Sequence, residues 1–167
     1  DDAGGLTKDL LEYFPKNPEL LKTLAMTYIS MGKTDEAKEA LDKIIEADPE
    51  FSKGYLNLAV VELSEKESDL AIQHCLEALK RDKDNLGAHN VLGLAHLQKG
   101  DLARAIETFQ GAKTIDPKFL PPYLNLGRIY IAQGDFGAAE KEYKDVLTNN
   151  PQAIEALLGL GLVYEKQ

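Results

Sequence analysis

The chain has 167 residues, 44% of them hydrophobic and 28% charged, with a formal net charge of −9. That balance fits a single globular unit with a continuous core, and it argues against duplex nucleic acid, which needs clustered Lys and Arg that this sequence does not concentrate. No apolar run reaches the ~18–20 residues of a membrane helix and no N-terminal stretch reads as a secretion signal, so a soluble chain without membrane insertion is expected.

Residues 1–17 carry Leu6, Leu10, Leu11 and Phe14 at helical spacing, and Pro15 stands 34 residues before Pro49. They are expected to form the second helix of an incomplete repeat that caps the molecule, with Asp1 to Gly5 frayed. The chain begins with Asp1 rather than Met, so a removed leader stays open, as does the choice between cytoplasm and periplasm. Asn17 and Pro18 are the predicted cap and first residue of the next helix. Beyond them the apolar residues fall three or four apart, at Leu21, Leu24, Ala25 and Tyr28 and then at Ala37, Leu41 and Ile44. Two amphipathic helices follow from that spacing, joined where Gly32 can close the first in a left-handed conformation.

The same hairpin recurs over 52–85, 86–119 and 120–153, and its first half fills 154–167. Gly100 and Gly134 end the corresponding first helices, and Asp101 and Asp135 follow as caps. Pro49, Pro117 and Pro151 mark the far ends, where proline cannot continue a helix but starts the next segment well. The copy at 52–85 departs most: Glu62 replaces an aromatic residue, Lys66 the turn glycine and Lys83 the proline. This predicts either a looser hairpin turn or a polar contact on its first helix.

Leu24, Leu58, Leu92, Leu126 and Leu160 recur at a constant 34-residue interval. A unit of that length cannot bury a core alone, so copies must stack as a solenoid. Small residues hold two columns, Ala37, Ala71, Ala105 and Ala139 in one and Ala25, Ala59, Gly93, Gly127 and Gly161 in the other. Leu41, Cys75, Phe109 and Tyr143 supply the bulk that interdigitates with them. Alternating charges on the second helices, as in Lys38, Glu39, Asp42, Lys43 and Glu46, read as a solvated outer face.

Catalytic and metal chemistry find little support. The lone Cys75 sits in the bulky apolar column and is expected to be buried and inert. His89 and His96 share a helical face, but they occupy columns that hold Tyr28, Tyr55, Tyr123 and Tyr130 elsewhere, so they read as substitutes for core aromatics rather than metal ligands. His74 reads as a surface residue. Gly159 and Gly161 follow no strand and read as close packing, and no spacing joins a nucleophile to a base. The expectation is a non-enzyme without cofactor or metal.

In these columns the chain resembles the tetratricopeptide repeat family over most of its length. The resemblance implies an all-α, right-handed superhelical solenoid of antiparallel helix-turn-helix repeats whose first helices line a concave groove. The groove columns would hold Lys22, Leu56, Asn90, Leu124 and Leu158, then Met26, Val60, Leu94, Arg128 and Leu162, then Ile29, Leu63, Leu97 and Ile131. Of these 14 residues 11 are apolar, although the core was not expected to need them, which suggests a partner helix or extended peptide presenting hydrophobic side chains. Asn57 and Asn125 would bond either a peptide backbone at the groove edge or a neighbouring helix, and Lys22 and Arg128 an acidic group. Replacing Leu94 and Leu97 by Asp is expected to abolish binding and spare helicity.

Some members of the family clamp a partner's C-terminal carboxylate with Lys and Asn from the first repeat, Asn from the second, and Lys and Arg from the third. Lys22 and Asn57 fit two of those places, but Met26, Gly87 and Val91 occupy the others, which argues against that mode. Finally, the run Ala156 to Tyr164 stays apolar where a terminal helix usually turns a polar face outward. An alternative role follows, a self-assembling scaffold that forms a homo-oligomer through its C-terminal helix.

Overall fold

The computed structural model describes Asp9, Tyr13, Phe14 and residues 17–167. The capping helix expected from Leu6, Leu10, Leu11 and Pro15 lies outside the described residues, and Phe14 is exposed. Among the described residues there are nine long helices and no strand: α1 (Pro18–Ser30), α2 (Thr34–Ala47), α3 (Ser52–Ser64), α4 (Ser68–Arg81), α5 (Leu86–Gln98), α6 (Leu102–Ile115), α7 (Leu120–Gln133), α8 (Phe136–Asn149) and α9 (Ile154–Lys166). Each packs on the helix before and after it, and α3 also touches α5 as α7 touches α9, which makes the molecule an all-α solenoid. None of the described helices is long and apolar enough to cross a membrane.

Every hairpin turn closes alike. The N–H groups of Lys33, Glu67, Asp101 and Asp135 donate to the carbonyls of Tyr28, Glu62, His96 and Tyr130, each at 2.9 Å. This six-residue closure needs a left-handed residue just before the donor. Gly32, Gly100 and Gly134 supply it with φ of 68°, 83° and 77°, and Lys66 takes the same conformation at φ 65°. The second turn is therefore not looser, because the hydrogen bond holds a lysine where its Cβ is disfavoured by ~1 kcal/mol. Asp101 and Asp135 cap α6 and α8 by accepting from Arg104 and Ala138, and Asn17 caps α1 by accepting from Glu19 and Leu20.

At the far ends, Phe51, Asn85, Phe119 and Ala153 donate back to Asp48, Asp82, Asp116 and Asn150. Pro49, Pro117 and Pro151 take the second position of these tight turns, where their fixed φ is suited, and so precede the next helix rather than begin it. Lys83 fills that position in the second copy.

Size alternation sets the core. Ala37, Ala71, Ala105 and Ala139 are wholly buried. A Cβ on Gly93 would lie 2.5 Å from the Phe109 ring, one on Gly127 2.5 Å from the Tyr143 ring, and one on Gly159 2.4 Å from that same ring. Gly161 differs from the close packing expected of it: among the described residues nothing stands within 4 Å of a Cβ built there.

Polar residues tie the repeats together. Lys38 donates to Glu65 and Glu67, which lift its amine above the usual lysine range, so it is part of an inter-repeat link as well as the outer face. Lys113 reaches from α6 to Glu142 on α8 at 2.6 Å, over the ring of Tyr123. Glu62 is only 3% exposed, and both its oxygens lie 2.8 Å from Nδ1 of His74. The surface position expected for His74 is thereby corrected, and the polar contact expected on α3 is this pair. Hydrogen bonding to Glu62 raises the His74 pKa above its ordinary value, Asp42 and Glu77 add to the shift, and burial opposes it.

Candidate functional site

The expected groove residues divide into three groups by accessibility. Lys22, Met26, Val60, Arg128, Leu158 and Leu162 are exposed, with Met26 at 50% and Leu158 at 69%. Ile29, Leu56, Asn57, Leu63, Asn90, Leu94, Leu97, Leu124 and Ile131 are half-buried. Asn125 is buried, and its Nδ2 donates to Oδ1 of Asn90 on the neighbouring first helix at 3.1 Å. Of the two bonding partners open to Asn125, the structure supplies a helix of its own chain.

The half-buried group corrects the expectation that the core has no need of the stripe. Ile29 packs on the cluster around Leu41, Leu56 and Leu63 on that around Cys75 and Leu92, and Leu124 and Ile131 on that around Tyr143. Leu94 and Leu97 pack beside Phe109 and Leu126. A helix turns 100° per residue, so columns next to a core column share its burial. Asp at Leu94 and Leu97 would put two carboxylates against the Phe109 cluster, and lost binding would then report lost folding.

Accessible space gathers at the two ends of the stripe. One cavity of about 280 Å³ opens between α1 and α3. Ala25, Leu41, Ile44 and Phe51 form its apolar floor, Met26 and Leu56 its sides, and Lys22, Lys53, Asn57 and Asn85 its polar edge. The other, about 300 Å³, lies between α7 and α9 over the Tyr143 ring and unites Arg128, Ile131, Leu158 and Leu162 with Glu155. Gly159, against which the Tyr143 ring packs, also lines it. Between the two ends, the Asn125–Asn90 bond joins α7 to α5.

Lys53, Phe51, Asn85 and Glu155 were outside the expected columns. Lys53 stands one helical turn ahead of Leu56, and that spacing was the signal in the sequence. Nothing local marks Phe51 or Asn85, which lie just before α3 and α5. Gly87 and Val91, where the carboxylate-clamping members place cations, stay apolar: Val91 is buried, and Gly87 lies against Leu56.

Neither cavity is lined by Cys75 or a histidine. Cys75 is buried, and desolvation pushes its thiol up to about 12. His96 is buried with Nδ1 unpartnered among the described residues, and desolvation lowers its pKa. His89 bonds the carbonyl of Lys83 at 2.9 Å. Among the described residues, no group of three or more His, Cys, Asp or Glu is placed to hold a metal ion.

Comparison with known proteins adds the family. A segment of 72 residues is 39% identical to the U-box domain-containing protein 70 of Oryza sativa subsp. japonica, covering 43% of this chain and 9% of that protein. A segment of 82 residues is 38% identical to the Hsp70-Hsp90 organizing protein 1 of Glycine max, covering 47% of this chain and 14% of that protein. These matches thus span only a small part of either relative. The crystal structure of MamA superposes with a TM-score of 0.79 at 27% identity, covering 89% of this chain and 87% of that one. The family model for the tetratricopeptide repeat matches residues 1–59 and 96–160, well over half of the sequence. With helices restarting at Pro18, Ser52, Leu86, Leu120 and Ile154, the chain belongs to the tetratricopeptide repeat family.

Proposed function

We propose that this protein is a non-catalytic scaffold that holds a partner peptide or helix along the face of its first helices. The observation that carries this reading is the pair of cavities at the two ends of this face, with exposed Met26 and Val60 on the helices of one and exposed Leu158 and Leu162 in the lining of the other. Large apolar side chains left in water beside a cavity at each end of one face are a recognition feature. Similarity to a protein named for organising Hsp70 and Hsp90 supports a role in protein assembly. The match to the tetratricopeptide repeat family supports a binding rather than a catalytic role.

Peptides selected from a random display library on the full chain test the groove. Val60→Asp with Leu158→Asp is expected to weaken the selected peptides at least tenfold in calorimetry, with the 222 nm circular dichroism unchanged. Both side chains are already accessible, so the charges do not enter the core. Equal affinity for the variant would overturn the reading.

A second reading, self-assembly through α9, is favoured by one specific observation. Leu157 and Tyr164 are 49% and 53% exposed and Gly161 is open, although the residues in these columns on α1, α3, α5 and α7 are buried or half-buried.

A further inference from the structure

We propose that the cavity between α1 and α3 is an anchor pocket for a partner segment that places one large apolar side chain beside an Asp or Glu. This rests on the groove reading above and adds what that groove selects. Acidic residues outnumber basic ones in the chain by 28 to 19, yet the two charged residues lining this cavity are Lys22 and Lys53, and no carboxylate lines it. The cavity at the other end has both Arg128 and Glu155 in its lining and so carries no net preference of sign.

Both ammonium groups are available to a ligand. Lys22 lies 3.9 Å from Glu19, at the outer limit of an ion pair, with both side chains exposed. Lys53 has no ion pair among the described residues. A loose, solvated pair of this kind is worth little and is readily exchanged for a ligand carboxylate. Lysine acts here as a mobile point charge on a flexible stem, suited to a side chain whose position the apolar anchor has already fixed.

The amides at the edge are not equivalent. Asn85 is committed, accepting from the Ala88 N–H at 3.0 Å and donating to Ser52 at 3.4 Å. Asn57 is half-buried with no hydrogen bond among the described residues, so it offers a donor and an acceptor to the backbone of a bound segment. The buried floor selects against polar anchors, which would lose their hydrogen bonds to water without replacement. Because Gly87 and Val91 add no cation, an internal acidic side chain suffices and a free C-terminus is not required.

The test is a ¹H–¹⁵N NMR titration of the full chain with 4-phenylbutyrate, its uncharged amide and acetate. The acid is expected to shift the backbone signals of Met26, Leu56 and Asn57 saturably, the amide to bind at least threefold more weakly, and acetate to leave those signals in place. Lys22→Ala with Lys53→Ala should bring the acid down to the affinity of the amide, with amide binding and the rest of the spectrum unchanged. Equal affinity of acid and amide for the wild type, or shifts confined to other surfaces, would overturn the proposal. If display-selected peptides lose affinity in the Val60→Asp, Leu158→Asp variant but 4-phenylbutyrate does not displace them, the groove stands and this pocket falls.

Discussion

The ring of Tyr143 lies against the backbone of α7 at Gly127 and of α9 at Gly159, so one side chain sets the spacing of three helices. A methyl at either glycine would meet a ring that is only 2% exposed and has nowhere to retreat. Gly127→Ala is therefore expected to cost ~1–3 kcal/mol of stability in urea unfolding. Gly161→Ala should instead stabilise by up to ~1 kcal/mol, since alanine is the better helix former and the site is open. Equal responses at the two sites would contradict this account of the packing.

The Glu62–His74 pair also acts at this scale. Its histidine has a folded pKa above the ordinary 6.5, so the pair's contribution is complete below that value and is lost as pH rises through the raised one. Unfolding midpoints are expected to fall as pH rises above 6.5, and to fall less in His74→Gln, whose amide still donates to Glu62 without titrating. An unchanged slope in the variant would remove His74 as the source. The aromatic column pointed to Glu62 as an exception in the sequence; its partner, 12 residues on, carried no such mark.

Among elements, the hairpin turn was the most legible. Gly32, Gly100 and Gly134 announced a left-handed closure because φ near 70–80° is cheap only for glycine. Lys66 concealed the same closure, since its identity predicts nothing of the sort, and only the Glu67 to Glu62 hydrogen bond discloses it. Lys66→Gly should raise stability by ~1 kcal/mol, seen as a higher thermal midpoint, by relieving the Cβ. No gain would mean that the lysine is not strained there. The prolines were legible as boundaries: Pro18 begins α1, and the turns hold Pro49, Pro117 and Pro151 three residues before the next helix.

For the whole molecule, α9 packs on α8 and touches α7, and its remaining face leaves Leu157 and Tyr164 exposed. If a second copy covers Leu157, Gly161 and Tyr164, light scattering should show a mass that rises with concentration, and Leu157→Glu should return it to the monomer. A strict monomer at high concentration, with its native C-terminus intact, would end the self-assembly reading.

The 34-residue beat, the helical hairpins, the glycine closures and the alternation of small with bulky residues were determined by the sequence alone, because each depends on neighbours within a turn or two of helix or on a strict period. Which stripe residues stay accessible was decided only by the tertiary structure. The bond from Asn125 to Asn90, 35 residues apart, and the meeting of Lys53 with Lys22 at one cavity arise from the distance between helices of different repeats. Periodicity places a side chain on a face of its own helix, and the approach of the next helix then buries it or leaves it free for a partner.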